Sequence, residues 1–220
     1  MLNKDVISLT IPTLHLHDTV AQGLKFMTES HVEHLAVVAD NKLVGLVYEE
    51  DLLNAPDEGA LLSDIQSGFS KLSVKADNHF IEAVQMFNEY GLTVIPVVEG
   101  EQEFIGAIVH TDLFKQLAKQ TGANEPGGLI VMELEKRGYS FSEISKLVET
   151  NDAYITQLNS YYDNTTETFI VTLKVNKFEI SDIVATFQRY DYTVKYYFGE
   201  EQFENELRSN YDHLMNYLNM

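Results

Sequence analysis

Two stretches of this chain, GLVYEEDLL at Gly45–Leu53 and GAIVHTDLF at Gly106–Phe114, place a Gly six residues before an Asp-Leu pair. The likeness extends upstream. An offset of 60 lays Asp18–Val38 on Asn78–Val98, and Val20, Leu24 and Met27 on Phe80, Val84 and Phe87. That spacing is one face of an amphipathic helix. The β-branched run His34–Val38 falls on Val94–Val98, and both read as buried strands. One extra residue in the second copy raises the offset to 61. The strand at Lys42–Val47 then matches the strand at Glu103–Val109, with Gly45 on Gly106 and Asp51 on Asp112. A helix is predicted to begin at each Asp.

An internal repeat decides the architecture before any single motif does. Each copy reads as leading strand, helix, strand, turn, strand, helix. The turns are Asp40-Asn41-Lys42 and Glu99-Gly100-Glu101, with residues that tolerate left-handed backbone. A unit of roughly 50 residues buries too little apolar surface to stand alone, so the two copies are expected to pack face to face. The 45% hydrophobic content is enough for such a core.

The spacing Gly-x-x-x-x-x-Asp, found twice, together with Ile95-Pro96-Val97-Val98, resembles a tandem pair of CBS domains, the modules named after cystathionine β-synthase. The resemblance covers roughly residues 5–120, with a first repeat at 1–59 and a second at 60–124. It implies clefts between the repeats that bind adenosyl ligands and regulate an attached or partner protein. The family motif is Gly-x-x-Thr-x-x-Asp. Carried onto this chain, it gives Gly45, Tyr48 and Asp51 in one copy and Gly106, Val109 and Asp112 in the other. Ile95, Pro96 and Val97 would line the base. Each Asp would accept the two hydroxyls of a ribose, which a carboxylate does well.

The chain departs from the motif where phosphate would sit. Tyr48 and Val109 replace the Thr; Val109 has no donor, and the Tyr48 ring fills the cleft or stacks on a base. The three Arg of the chain, Arg137, Arg189 and Arg208, all lie outside the repeat, and Glu49 and Glu50 add negative charge beside Asp51. Like charges at short range disfavour ATP. AMP or a cationic ligand such as S-adenosylmethionine fits better. Asp51 and Asp112 read equally as helix N-caps, with Glu49 and Glu50 favourable at the positive helix end. The two roles are compatible.

Glu125-Pro126-Gly127-Gly128 marks a boundary. Beyond it a strand is predicted at Leu129–Leu134 and a helix capped by Ser140 with Phe141, Ile144, Leu147 and Val148 on one face. Strands follow at Ala153–Tyr162 and Glu167–Val175, hinged at Asp163-Asn164. A helix through Ile180, Ile183, Val184, Phe187 and Tyr190 and a strand at Tyr192–Phe198 complete the set. The order β-α-β-β-α-β over 125–198 is the ferredoxin-like split unit. After a CBS pair it resembles an ACT domain, and the whole is similar to bacterial acetoin-utilisation-type CBS–ACT proteins. The ACT resemblance implies either amino-acid binding near Lys136-Arg137-Gly138-Tyr139-Ser140 or a dimerising sheet. The fold class is therefore α+β. The tail 199–220 reads as an amphipathic helix that docks on the body or on a partner.

A net charge of −19 argues against binding nucleic acid or an anionic membrane. The chain has no Cys, no apolar run long enough to span a bilayer and no signal-peptide pattern, so a cytoplasmic location is expected. His15 with His17, and His31 with His34, lack a recognisable third ligand and read as solvated or capping, so no metal is expected. No nucleophile–base set, Walker loop or dinucleotide fingerprint occurs, so no catalytic residue is assigned. The reading is a non-enzymatic sensor, homodimeric and acting on itself or an unknown protein partner. The alternative is a structural protein whose clefts are vestigial, filled by Tyr48 and Val109.

Overall fold

The computed structural model describes residues 1–135 and 138–199. Lys136, Arg137 and the tail 200–220, with Arg208, lie outside the described residues. The chain divides into two compact units, Met1–Ala118 and Lys119–Met220.

The first unit contains α1 (Val20–Ser30), β1 (His34–Ala39), β2 (Lys42–Tyr48), α2 (Glu49–Leu53), α3 (Leu62–Ile65), β3 (Val74–Lys75), α4 (Ile81–Tyr90), β4 (Val94–Glu99), β5 (Glu103–Val109) and α5 (His110–Gln120). Its strands form one sheet in the order β1-β2-β5-β4-β3. The hairpins β1–β2 and β4–β5 are antiparallel and meet at Lys42 and Glu103. In each hairpin the register slips at the same place, between Val37 and Val38 and between Val97 and Val98. The repeated Gly pairs with the residue just before the slip: Gly45 with Val37 and Gly106 with Val97.

Local sequence explains these elements. Thr19 caps α1, accepting from the Gln22 N–H at 3.2 Å. The helix ends at His31 in left-handed backbone (φ 54°), where the second copy places Gly91 (φ 63°). Asp40 and Asn41 both take positive φ, as a two-residue hairpin turn requires. The leading strands are shorter than expected. The first is a single bridge, Leu14 to Val37, and the second is only Val74–Lys75. Ahead of the first, Asn3–Val6 forms a 3-10 turn.

The two repeats exchange segments. Ser8 donates its N–H to Ala107 O at 2.9 Å, so the leading segment of the first repeat joins the sheet of the second. Ser70, in the leading segment of the second repeat, exchanges two backbone hydrogen bonds with Leu46 of the first, at 2.8 and 3.0 Å. One apolar cluster gathers Leu14, Val20, Met27, Leu35 and Leu52 with Val94 and Ala107 of the other repeat. A second gathers Phe80, Ile95, Val97 and Ile108 with Val6 and Leu46.

The second unit contains β6 (Leu129–Leu134), α6 (Phe141–Glu149), β7 (Ile155–Asp163), β8 (Thr168–Val175), α7 (Ser181–Arg189) and β9 (Thr193–Phe198). The antiparallel order β7-β8-β6-β9 is that of the ferredoxin-like unit. Ile130, Met132, Val171, Leu173 and Val175 from one sheet face meet Ile144, Leu147 and Val148 of α6 and Ile183 and Phe187 of α7. Ser140 caps α6 as expected, accepting from the Glu143 N–H. Phe141 does not join the buried face; it is 55% exposed, because the first residue of a helix lies beside the cap rather than over the core.

Candidate ligand site

Each repeated Gly marks a close approach by the exchanged segment. A Cβ on Gly106 would sit 2.5 Å from Ile7 Cγ2, and one on Gly45 would sit 2.7 Å from Phe69 Cβ and 2.8 Å from Ser70 O. Side chains there would push the exchanged segments off the sheet, which is why both copies carry glycine. Two corners result. One combines Gly106, Val109 and Asp112 with Ile7 and Ser8. The other combines Gly45, Tyr48 and Asp51 with Phe69 and Ser70.

The helices start two residues earlier than the sequence suggests, at Glu49 and His110, directly on the strand ends. Asp51 and Asp112 therefore occupy the third helical position, not the N-cap. From there the Asp51 carboxylate reaches back, and its Oδ2 accepts the Tyr48 N–H at 3.1 Å. This is the returning half of a capping box. Oδ1 of Asp51 meets no donor among the described residues.

Asp112 is held differently. Its Oδ2 accepts the hydroxyl of Ser8 in a short hydrogen bond, and its Oδ1 accepts from Lys115 Nζ at 2.8 Å. The Ser8 hydroxyl in turn accepts the Val109 N–H at 3.3 Å. Lys115 first, and then Ser8, hold the Asp112 carboxyl below the usual carboxylate range. The Ser8 hydroxyl thus lies beside position 109, whose own side chain has no hydroxyl, and is tied to the Val109 backbone. Ser70, the counterpart of Ser8, instead accepts from its own Leu72 N–H at 3.3 Å.

Ile95, Pro96 and Val97 are all buried in β4; Ile95 and Val97 are core residues of the second cluster. Val109 is buried and Tyr48 half-buried. The Tyr48 ring meets His34 edge-on, with centroids 4.5 Å apart. His34 is not solvated, as the sequence had suggested; it is 4% exposed because it opens a strand at the junction of the repeats. Its Nδ1 accepts the Thr93 N–H at 3.2 Å and lies 2.9 Å from the Thr93 hydroxyl, which accepts the Glu33 N–H at 2.8 Å. Burial pushes the His34 imidazole down, against the pull of Glu33 and Asp51.

The CBS domain family model matches residues 4–58 and 68–119, the two segments that carry these corners. The first unit is a CBS-domain pair. A stretch of 121 residues, 54% of the chain, is 30% identical to L-aspartate semialdehyde sulfurtransferase of Methanosarcina acetivorans and spans 24% of that protein. Among solved structures, a CBS domain pair/ACT domain protein of Thermotoga maritima is 22% identical, with a TM-score of 0.49. It matches over 54% of this chain and 98% of that one. The CBS pair of protein MJ0100, solved with 5′-methylthioadenosine and S-adenosyl-L-methionine, is 20% identical with a TM-score of 0.44 over 54% of this chain and 97% of that one.

Two cavities are also present, and one of them shares Lys115 with the second corner. One, of about 690 Å³, opens between α4 and α5 and is lined by Val84, Phe87, Leu92, Leu113, Phe114 and Leu117. The other, of about 530 Å³, lies in the ferredoxin-like unit beside Glu133, Glu135, Gly138, Glu143, Asp191 and Tyr192. Tyr192 donates to Glu143 Oε2 at 3.0 Å, and burial followed by that carboxylate pushes its phenol up to about 12. No described helix is long and apolar enough to cross a membrane.

Proposed function

We propose that the protein is a non-enzymatic sensor whose CBS pair binds a small adenosyl ligand at the joints between repeats and passes the change to its own oligomer or to a protein partner. The carrying observation is the hydrogen bond from Ser8 to Asp112, which spans 104 residues of sequence. A ribose diol on Asp112 competes with the Ser8 hydroxyl, so binding bears directly on the segment that joins the repeats. A ligand that favours one arrangement of that joint shifts the population toward it. Lys115 gives the second corner an ammonium for one phosphate, which suits AMP. Asp51, with Glu49 and Glu50 beside it, suits a cationic adenosyl group such as S-adenosylmethionine.

The test is a thermal-shift screen of AMP, ADP, ATP, S-adenosylmethionine and amino acids on the wild type, Asp112→Ala and Asp51→Ala. AMP is expected to raise the melting temperature of the wild type and of Asp51→Ala and to leave Asp112→Ala unmoved. A flat response of the wild type to every compound favours the structural role with vestigial clefts.

Phe114 is 71% exposed at the rim of the apolar cavity between α4 and α5, and Ile81 at the start of α4 is 49% exposed. Such a patch is what a homodimer would cover. Phe114→Glu is expected to turn a dimer in sedimentation velocity into a monomer. An unchanged sedimentation coefficient rejects this face.

A further inference from the structure

We propose that His15, His17 and Asp18 form a binding site for a divalent transition metal of the zinc type. Just ahead of α1 the chain leaves its bridge at Leu14 and turns at residues 15–18. Leu14 is fully buried on one side, while His15 and His17 project together on the other, their rings stacked at 5.4 Å. The turn itself contains both histidines: Asp18 donates its N–H to His15 O at 3.0 Å and its Oδ2 accepts the His15 N–H at 2.7 Å. This turn folds the carboxylate back beneath the two rings. The sequence alone hid the third ligand because Asp18, adjacent to His17, would point away from it in a continuing strand.

The donor atoms lie near coordination geometry. His15 Nδ1 is 3.6 Å from Asp18 Oδ2, and His17 Nε2 is 3.9 Å from Oδ1. All three donors fall within 4.8 Å of one another. Bonds of about 2.0–2.1 Å at tetrahedral angles place donors roughly 3.4 Å apart. Small rotations of two exposed rings close the difference. The base of the site is rigid. Leu62 donates its N–H to Asp18 O and Ser63 donates to Leu16 O, both at 2.9 Å. Asp18 is only 8% exposed, and among the described residues its carboxylate pairs with no Lys or Arg, only with these two imidazoles. A nearly buried carboxylate without a fixed cation favours one that arrives from solution. Two imidazoles and one carboxylate select zinc-like ions over magnesium or calcium, which prefer oxygen alone. The three donors sit on one side, leaving a fourth position for water or another ligand.

The experiment is calorimetric titration of the tag-free full chain with ZnCl2, and in parallel with MgCl2, at neutral pH. One zinc per chain and no magnesium heat are expected. His15→Ala and His17→Ala should each weaken zinc binding by at least about tenfold, since loss of even an outer-shell partner usually costs that much. His17 is 82% exposed at its side chain, so its variant is expected to keep the wild-type melting temperature without metal. Absence of binding at tens of micromolar zinc, or undiminished binding in the His15→Ala/His17→Ala double variant, overturns the assignment.

Discussion

Gly106→Ala is expected to destabilise the CBS pair by about 2–6 kcal/mol, combining roughly 1–3 kcal/mol of backbone strain with an overpacking cost of similar size. The strain arises because Gly106 has φ +152°, a conformation L side chains rarely adopt. The overpacking arises because the new methyl would lie 2.5 Å from Ile7 Cγ2 and 3.3 Å from Ile7 Cδ1. Relief requires Ile7 to change rotamer or the segment that carries Ser8 to move from Ala107 and Asp112. Gly45→Ala meets a comparable obstacle, Phe69 and Ser70, but from ordinary backbone, so it should cost about 1–3 kcal/mol. Urea denaturation at neutral pH measures both. A Gly106→Ala variant as stable as the wild type would mean that Ile7 and Ser8 do not hold the second corner together.

Acidification should loosen the junction of the repeats through His34. Burial depresses its folded-state value below the ordinary 6.5, so between the two values the unfolded chain binds more protons than the folded one. Stability is then full above the ordinary value and falls as pH drops below it, until the depressed folded value is reached. One proton limits the slope to about 1.4 kcal/mol per pH unit. The loss has a structural cause: Nδ1 accepts the Thr93 N–H, and a proton on Nδ1 removes that acceptor. His34→Asn keeps an acceptor near the same position without the titration. Urea midpoints taken from pH 7.5 to 5.5 should fall less steeply for His34→Asn than for the wild type. Equal slopes would move the acid sensitivity elsewhere.

The repeat was legible because apolar periodicity and the Gly–Asp spacing are local signals copied at a fixed offset. They placed α1 against α4, both hairpins, and the matching Gly45 and Gly106. The β-α-β-β-α-β order of the second unit was legible for the same reason, with strands at Leu129, Thr168 and Thr193 starting within a residue of their expected positions. What stayed hidden was long-range or set by a turn. Nothing near Ser8 announces that its hydroxyl ends on Asp112. The return of Asp18 toward His15 depends on a backbone bend that alternation does not encode. His34 reads as polar beside Glu33, yet the pairing of two hairpins buries it. The starts of α2 and α5 shifted because both helices begin directly at a strand end, without the usual Ser, Thr, Asn or Asp cap.

The bond between Ser8 and Asp112 also governs how the chain must be made. Ser8 leaves the ribosome well before its partners, Ala107 in β5 and Asp112 in α5, are made. The seam at Ser8 cannot form while β5 is still in the exit tunnel. Pairing across so long a stretch carries a loop-closure cost that slows folding. Asn3 and Lys4 can bond to Asn78 and Ala76 as soon as these emerge, but Ser8 must wait for β5 and Asp112 to close the seam.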